Sequence, residues 1–121
     1  MLVNITSGAA TTIYPGWAAY CASKAAVDRL TAVVAEEEGA QGLRAYAVAP
    51  GMVDTGMQAL VRASTPEAFP SVERFLEAKR SGRFNTPGWV ADAVLELAFG
   101  DVAIESGSIV RVPDEWDQAA G

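Results

Sequence analysis

With 121 residues, half of them hydrophobic and a fifth charged, the chain is long enough for one packed core and too apolar to be disordered. Fifteen acidic residues outweigh nine basic ones for a net charge of −6, and no cluster of lysine or arginine breaks that acidity, which argues against a nucleic-acid partner. No apolar run approaches the roughly 20 residues of a membrane helix, and Met1-Leu2-Val3-Asn4 opens no secretory signal, so a cytoplasmic protein without a membrane partner is expected.

Leu2-Val3-Asn4-Ile5 reads as the end of a strand entering the small polar turn Thr6-Ser7-Gly8. From Ala18 to about Glu38 the pattern is helical: Ala22, Ala26, Leu30, Val33 and Val34 recur at the spacing of one helical face, and Gly39 is the expected stop. Leu43 to Ala49 is a short apolar run ended by Pro50-Gly51, as in a buried parallel strand. Two further helices are expected over Pro66–Lys79 and Trp89–Phe99, the second punctuated by Pro87-Gly88 and capped by Thr86. Gly107 to Val112 reads as a last strand, followed by a polar tail. Alternation of strands and helices implies an α/β fold with a parallel sheet of about three strands flanked by helices. So thin a sheet leaves an apolar edge that proteins normally cover, and the first strand begins almost at residue 1; both features suggest a missing N-terminal part.

The chain contains no histidine and one cysteine, Cys21. The absence of an imidazole removes Ser-His-Asp and Cys-His hydrolases, and a zinc site would have to be built from one thiol and carboxylates. A single cysteine makes no internal disulfide, in keeping with a reducing compartment. Acid/base chemistry is left to Tyr, Lys, Asp or Glu. Tyr20 and Lys24 lie four residues apart on the long helix and therefore share a face. A free phenol is only about 0.1% ionised at neutral pH. An ammonium about 4 Å away in a partly buried site favours the phenolate by roughly 4 kcal/mol. Ser7, at the end of the first strand, is placed to hydrogen-bond the same substrate oxygen. The chemistry that fits is carbonyl/alcohol interconversion. Each feature alone has an ordinary structural reading; the set in one order is what carries weight.

Tyr20-Cys21-Ala22-Ser23-Lys24 resembles the YxASK segment of the short-chain dehydrogenase/reductase family. Val3-Asn4-Ile5-Thr6-Ser7 resembles that family's strand and catalytic serine, and Pro50-Gly51-Met52-Val53-Asp54-Thr55 is similar to its PGxxxT loop. The resemblance spans essentially the whole chain. It implies the C-terminal part of a Rossmann-like doubly wound parallel sheet, a partial domain over residues 1–121 with the N-terminal dinucleotide-binding half absent. It also implies that Tyr20 is the general acid/base, that Ser7 orients the substrate carbonyl, and that Lys24 assists the tyrosine and holds the nicotinamide ribose. Tyr20, Lys24, Pro50, Gly51, Val53 and Thr55 would then contact the cofactor.

Asp54-Thr55-Gly56-Met57-Gln58, Phe69 to Phe75 and Lys79 to Arg83 look like the sepiapterin reductase and benzil reductase branch, whose members are NADPH-dependent carbonyl reductases. NADP(H) is therefore expected over NAD(H), with a small-molecule carbonyl as substrate. Arg111 stands where sepiapterin reductases carry an acidic residue, a reversed charge that favours a general dicarbonyl reductase. The acidic surface argues mildly against an anionic substrate. Tyr14, Trp17 and Met57 would line an apolar substrate pocket, or Trp17 packs only the start of the helix.

No Gly-rich turn follows a strand, so the pyrophosphate cradle of the family is missing from this sequence. Three readings follow. The chain is a truncated carbonyl reductase with weak or no activity of its own; or it is one half of a split enzyme completed by an N-terminal half; or it is a non-catalytic module that associates through its long helix. A homo-oligomer or the complementing half is the expected protein partner. No metal is expected.

Overall fold

The first strand, β1 (Leu2–Ile5), leads through a 3-10 turn at Gly8–Ala10 into the long helix α1 (Ala18–Glu38). A second 3-10 turn at Gly39–Gln41 ends with Gly42 in the left-handed region (φ 84°), and the chain returns as β2 (Ala45–Ala49). Three helices follow, α2 (Gly56–Arg62), α3 (Val72–Ser81) and α4 (Pro87–Phe99), before β3 (Ile109–Arg111) and α5 (Glu115–Ala120). This computed structural model describes residues 1–120, with side chains described as far as Asp117.

The sheet is parallel, with order β1-β2-β3; Asn4 pairs with Ala47 and Val48 with Val110. Every residue of the central strand Ala45-Tyr46-Ala47-Val48-Ala49 is buried, which is why its sequence is a continuous apolar run without alternation. The two faces nevertheless differ. Tyr46 and Val48 pack with Leu97 and Val112, so their face carries α4. The alanines between them point to the other face, where the absence of bulk lets α1 lie close. On that side the Asn4 amide donates to Thr31 Oγ1 (3.0 Å), and Thr31, fully buried, donates to the Val27 carbonyl one turn back (2.7 Å).

That seat corrects the expected orientation of α1. The helix has the expected extent, but Ala22, Ala26, Leu30 and Val33 face outward, with Leu30 57% and Val33 44% exposed. The inward face instead runs through the half-buried Lys24 and Val27 to Thr31 and Ala35. A polar pair, Asn4 and Thr31, orients the helix where apolar count alone pointed the other way.

The helix expected over Pro66–Lys79 starts later, at Val72. Residues 65–70 form a turn in which the Phe69 amide donates to the Thr65 carbonyl (2.9 Å), and Pro70 disfavours a helical conformation at Phe69. The short helix α2 and the helix in the polar tail, α5, went unread; Gly56 opens the first like a loop, and Pro113-Asp114 precedes the second. Glu115 and Asp117 stand in the first turn of α5, where a negative charge complements the helix dipole. Thr86 does cap α4, its Oγ1 accepting from the Trp89 amide (3.3 Å).

Candidate active site

Beyond the carboxyl ends of the three strands lies a cleft of about 900 Å³. This is where ligands of parallel α/β sheets bind, and the strand ends supply its residues. Ser7 follows β1 and caps the 3-10 turn: its Oγ accepts from the Ala9 amide (3.1 Å), which leaves the hydroxyl proton to donate elsewhere. Tyr20 sits in the first turn of α1, its ring edge-on to Trp17 at 5.4 Å between centroids. Among the described residues the Tyr20 hydroxyl has no hydrogen-bond partner. Lys24 lies one turn on; its Nζ is 5.8 Å from the centre of the Tyr20 ring and donates to the Ile5 carbonyl (3.2 Å). One acceptor for three ammonium donors leaves Lys24 able to bind a further group.

Ser7, Tyr20 and Lys24 all line the cleft, and so do Pro50, Gly51, Val53 and Thr55. Gly51 has a φ of 78°, a conformation that costs a side chain strain, and a Cβ there would stand 2.8 Å from the Asn85 amide nitrogen. Tyr14, Trp17 and Met57 also line the cleft. The Trp17 ring lines the cleft and stacks on buried Phe69 at 4.2 Å and an interplanar angle of 1°. Tyr14 is buried among Trp17, Phe69 and Phe75 and accepts a hydrogen bond from Arg74 (2.6 Å).

The sequence reading missed several residues that shape this site. Asn85, 1% exposed, clamps the loop after β2. Its side-chain amide donates to the Pro50 carbonyl (2.8 Å), its backbone amide donates to the Met52 carbonyl (2.8 Å), and its Oδ1 accepts from the Glu115 amide (2.9 Å). Asp54 ties the same loop to α2 and α3 through Arg62 (3.1 Å) and Lys79 (2.7 Å); the Lys79 hydrogen bond, then that of Arg62, holds its carboxyl below the ordinary range. Arg74 and Arg83 reach the cleft from α3 and the loop behind it, and Trp116 from α5. Their partners are remote in sequence, and no local spacing signals them. Arg111, noted in the sequence only for its reversed charge, also lines the cleft. Among the described residues no group of three or more acidic, cysteine or histidine side chains is arranged to hold a metal ion, and no helix is long and apolar enough to cross a membrane.

The geometry suits the nicotinamide end of a dinucleotide: a lysine with unused donors, a glycine-permitted backbone approach at Gly51, and the Tyr20 phenol share one open cleft. Among the described residues no Gly-rich turn of the pyrophosphate-binding kind follows a strand.

A model of the short chain dehydrogenase family matches residues 1–66. The chain is 37% identical over 115 residues to a benzil reductase ((S)-benzoin forming) of Bacillus cereus, covering 93% of this chain and 46% of that protein. It is also 37% identical over 108 residues to the sepiapterin reductase of Xenopus tropicalis, covering 88% of this chain and 40% of the relative. The crystal structure of a short-chain dehydrogenase/reductase from Saccharomyces cerevisiae superposes with a TM-score of 0.79 at 26% identity, over 94% of this chain and 46% of that one. The chain thus spans a little under half the length of the relatives it matches.

Proposed function

The chain belongs to the short-chain dehydrogenase family, and from that premise we propose that its cleft reduces a carbonyl compound, a vicinal dicarbonyl above all, with NADPH. The observation that carries this reading is the convergence of Ser7, Tyr20 and Lys24 on one cleft with the Pro50–Thr55 loop. Lys24 and Tyr20 would hold the nicotinamide ribose, and Pro50, Gly51, Val53 and Thr55 would border the nicotinamide. A reduced nicotinamide bound there supplies the hydride that the carbonyl carbon accepts. Ser7 donates its free hydroxyl proton in a hydrogen bond to the carbonyl oxygen. As the C=O π bond breaks, its electron pair moves onto that oxygen, which takes the proton of the Tyr20 phenol. The Lys24 ammonium stabilises the phenolate left behind. Tyr14, Trp17 and Met57 provide the apolar wall of the substrate pocket. The similarity to a benzil reductase supports a vicinal dicarbonyl substrate.

In this reading residues 1–121 are the catalytic and C-terminal segments of a short-chain dehydrogenase/reductase domain. They hold the nicotinamide end of the cofactor only, so affinity for NADPH is weak and turnover low. The outer edge of β1 is open, with Ile5 50% exposed, which favours a complementing N-terminal half. The outward face of α1 favours a second copy of the chain.

The test is NADPH consumption with benzil, dilute and at low salt, in the wild type and in Tyr20→Phe. Loss of roughly 100- to 10,000-fold in the variant is expected when a general acid is removed. Undiminished turnover in Tyr20→Phe overturns the role of the phenol. Absence of both turnover and NADPH binding in the wild type leaves the family membership standing and makes the chain a fragment that needs an N-terminal half; the second reading, a non-catalytic module that associates through α1, draws on the outward Leu30 and Val33.

A further inference from the structure

The cations of this acidic chain are sorted. Arg62 on α2 and Lys79 and Arg80 on α3 are paired with Asp54, Glu73 and Glu77. Lys24, Arg74, Arg83 and Arg111 line the cleft, and among the described residues none of them is paired with a carboxylate. Two acidic side chains share the cleft, Glu77 and Asp114, and Glu77 is already engaged by Arg80. The site therefore carries a local positive excess inside a molecule of net charge −6. A cleft focuses such a field far more than an open surface does.

The four cations are not equivalent. Lys24 is committed to the Ile5 carbonyl and the proposed cofactor, and Arg74 to the Tyr14 hydroxyl at 2.6 Å. Arg83 sits in the loop behind α3. Arg111 ends β3 opposite Ala49, the residue before the Pro50 loop, and reaches Thr11 at the close of the turn that Ser7 caps. It thus spans the cleft between the strand end and the Ser7 turn. Among the described residues the one hydrogen bond of its exposed guanidinium is long, 3.4 Å to the Thr11 Oγ1, so nearly all of its five N–H donors lack a protein acceptor. A planar donor fork of this kind matches a carboxylate or another oxyanion.

We propose that Arg111 is a specificity-determining residue that binds an anionic group on the substrate, so that the preferred substrates are carbonyl compounds bearing an acid group, such as 2-oxo acids. This rests on the reductase reading of the same cleft. It reverses the expectation from net charge, because the field at the site is set by the cations that line it.

The probe pair is benzoylformate and its methyl ester, which share a 1,2-dicarbonyl unit and differ in charge. Binding to the full chain is followed by calorimetry, with and without excess NADP+, in wild type, Arg111→Gln, Arg111→Lys and Arg83→Gln. The wild type is expected to bind the acid roughly tenfold to a hundredfold tighter than the ester, the range of a charge-assisted pair. Arg111→Gln should bring that ratio near one without changing NADP+ affinity, Arg111→Lys should restore part of it, and Arg83→Gln should lower it far less than Arg111→Gln does. An acid/ester ratio near one in the wild type, or no saturable binding of either compound, overturns the inference. So does a ratio insensitive to Arg111→Gln, or an Arg111→Gln effect confined to NADP+ affinity, which would give the arginine to the dinucleotide phosphates. The reductase reading fails separately: an Arg111-dependent ratio with no NADPH-driven reduction of either compound sinks that reading and leaves the anion site standing.

Discussion

Asn85 does not line the cleft, yet it is buried and satisfies groups from two distant segments, Pro50 and Glu115. Removing its side chain strands the Pro50 carbonyl and the Glu115 amide, at roughly 1–3 kcal/mol for each group left without a partner. Asn85→Ala should lower the denaturant midpoint accordingly. Asn85→Asp keeps the acceptor but sets a carboxylate against the Pro50 carbonyl at a site only 1% exposed, and should cost at least as much. A midpoint unchanged in Asn85→Ala would mean that the clamp on the Pro50 loop is dispensable. Gly51 and Asn85 are interlocked, since the space a Cβ would need at Gly51 is occupied by the Asn85 amide. At this scale Ser7, Tyr20 and Lys24 were readable because their spacing places them on a strand end and one helical face, whereas Asn85 acts on partners 30 and 35 residues away that no spacing rule connects.

Among the elements, the stretch from Thr65 to Phe75 decides the shape of the site. It forms a turn and then α3 where one continuous helix was expected, and the break delivers Phe69, 2% exposed, onto the face of Trp17. Trp17 in turn meets the Tyr20 ring edge-on, so the proposed proton donor rests on an aromatic cluster anchored outside its own helix. Phe69→Ala should cost roughly 3–5 kcal/mol, the usual range for emptying a buried phenylalanine site. It should also shift tryptophan emission to longer wavelength as water reaches Trp17. A loss below about 1 kcal/mol would show that the cluster collapses around the gap. Helix α1 carries the complementary lesson: its length was legible, its inward face was not, because a buried Asn4–Thr31 hydrogen bond fixes the rotation of the helix on the sheet.

Considered whole, the molecule leaves apolar groups outside its own core. Leu30 and Val33 on α1, Leu95 and Phe99 on α4 and Ile5 at the sheet edge are all exposed. Leu30 and Val33, three residues apart on α1, share one helical face and form the candidate association surface. If α1 meets a second copy of the chain, sedimentation should find a dimer or larger species at micromolar concentration. The double substitution Leu30→Glu with Val33→Glu should then give a monomer with unchanged far-ultraviolet circular dichroism. A monomeric wild type would remove the second copy from consideration and leave the open edge of β1 as the surface in need of cover.

The sequence by itself determined the α/β order, the parallel central strand, the extents of β1 and α1, the cap of α4, and the shared helical face of Tyr20 and Lys24. These rest on short-range physics: apolar runs, helical spacing, a capping threonine, and the rigidity and freedom of Pro-Gly. Only the tertiary structure decided which face of α1 looks inward, where the chain breaks before α3, how Asn85 holds the Pro50 loop, and that cations gather in the cleft of an acidic protein. Each of those depends on groups brought together across tens of residues, so that burial and field at a point are set by neighbours in space rather than in sequence.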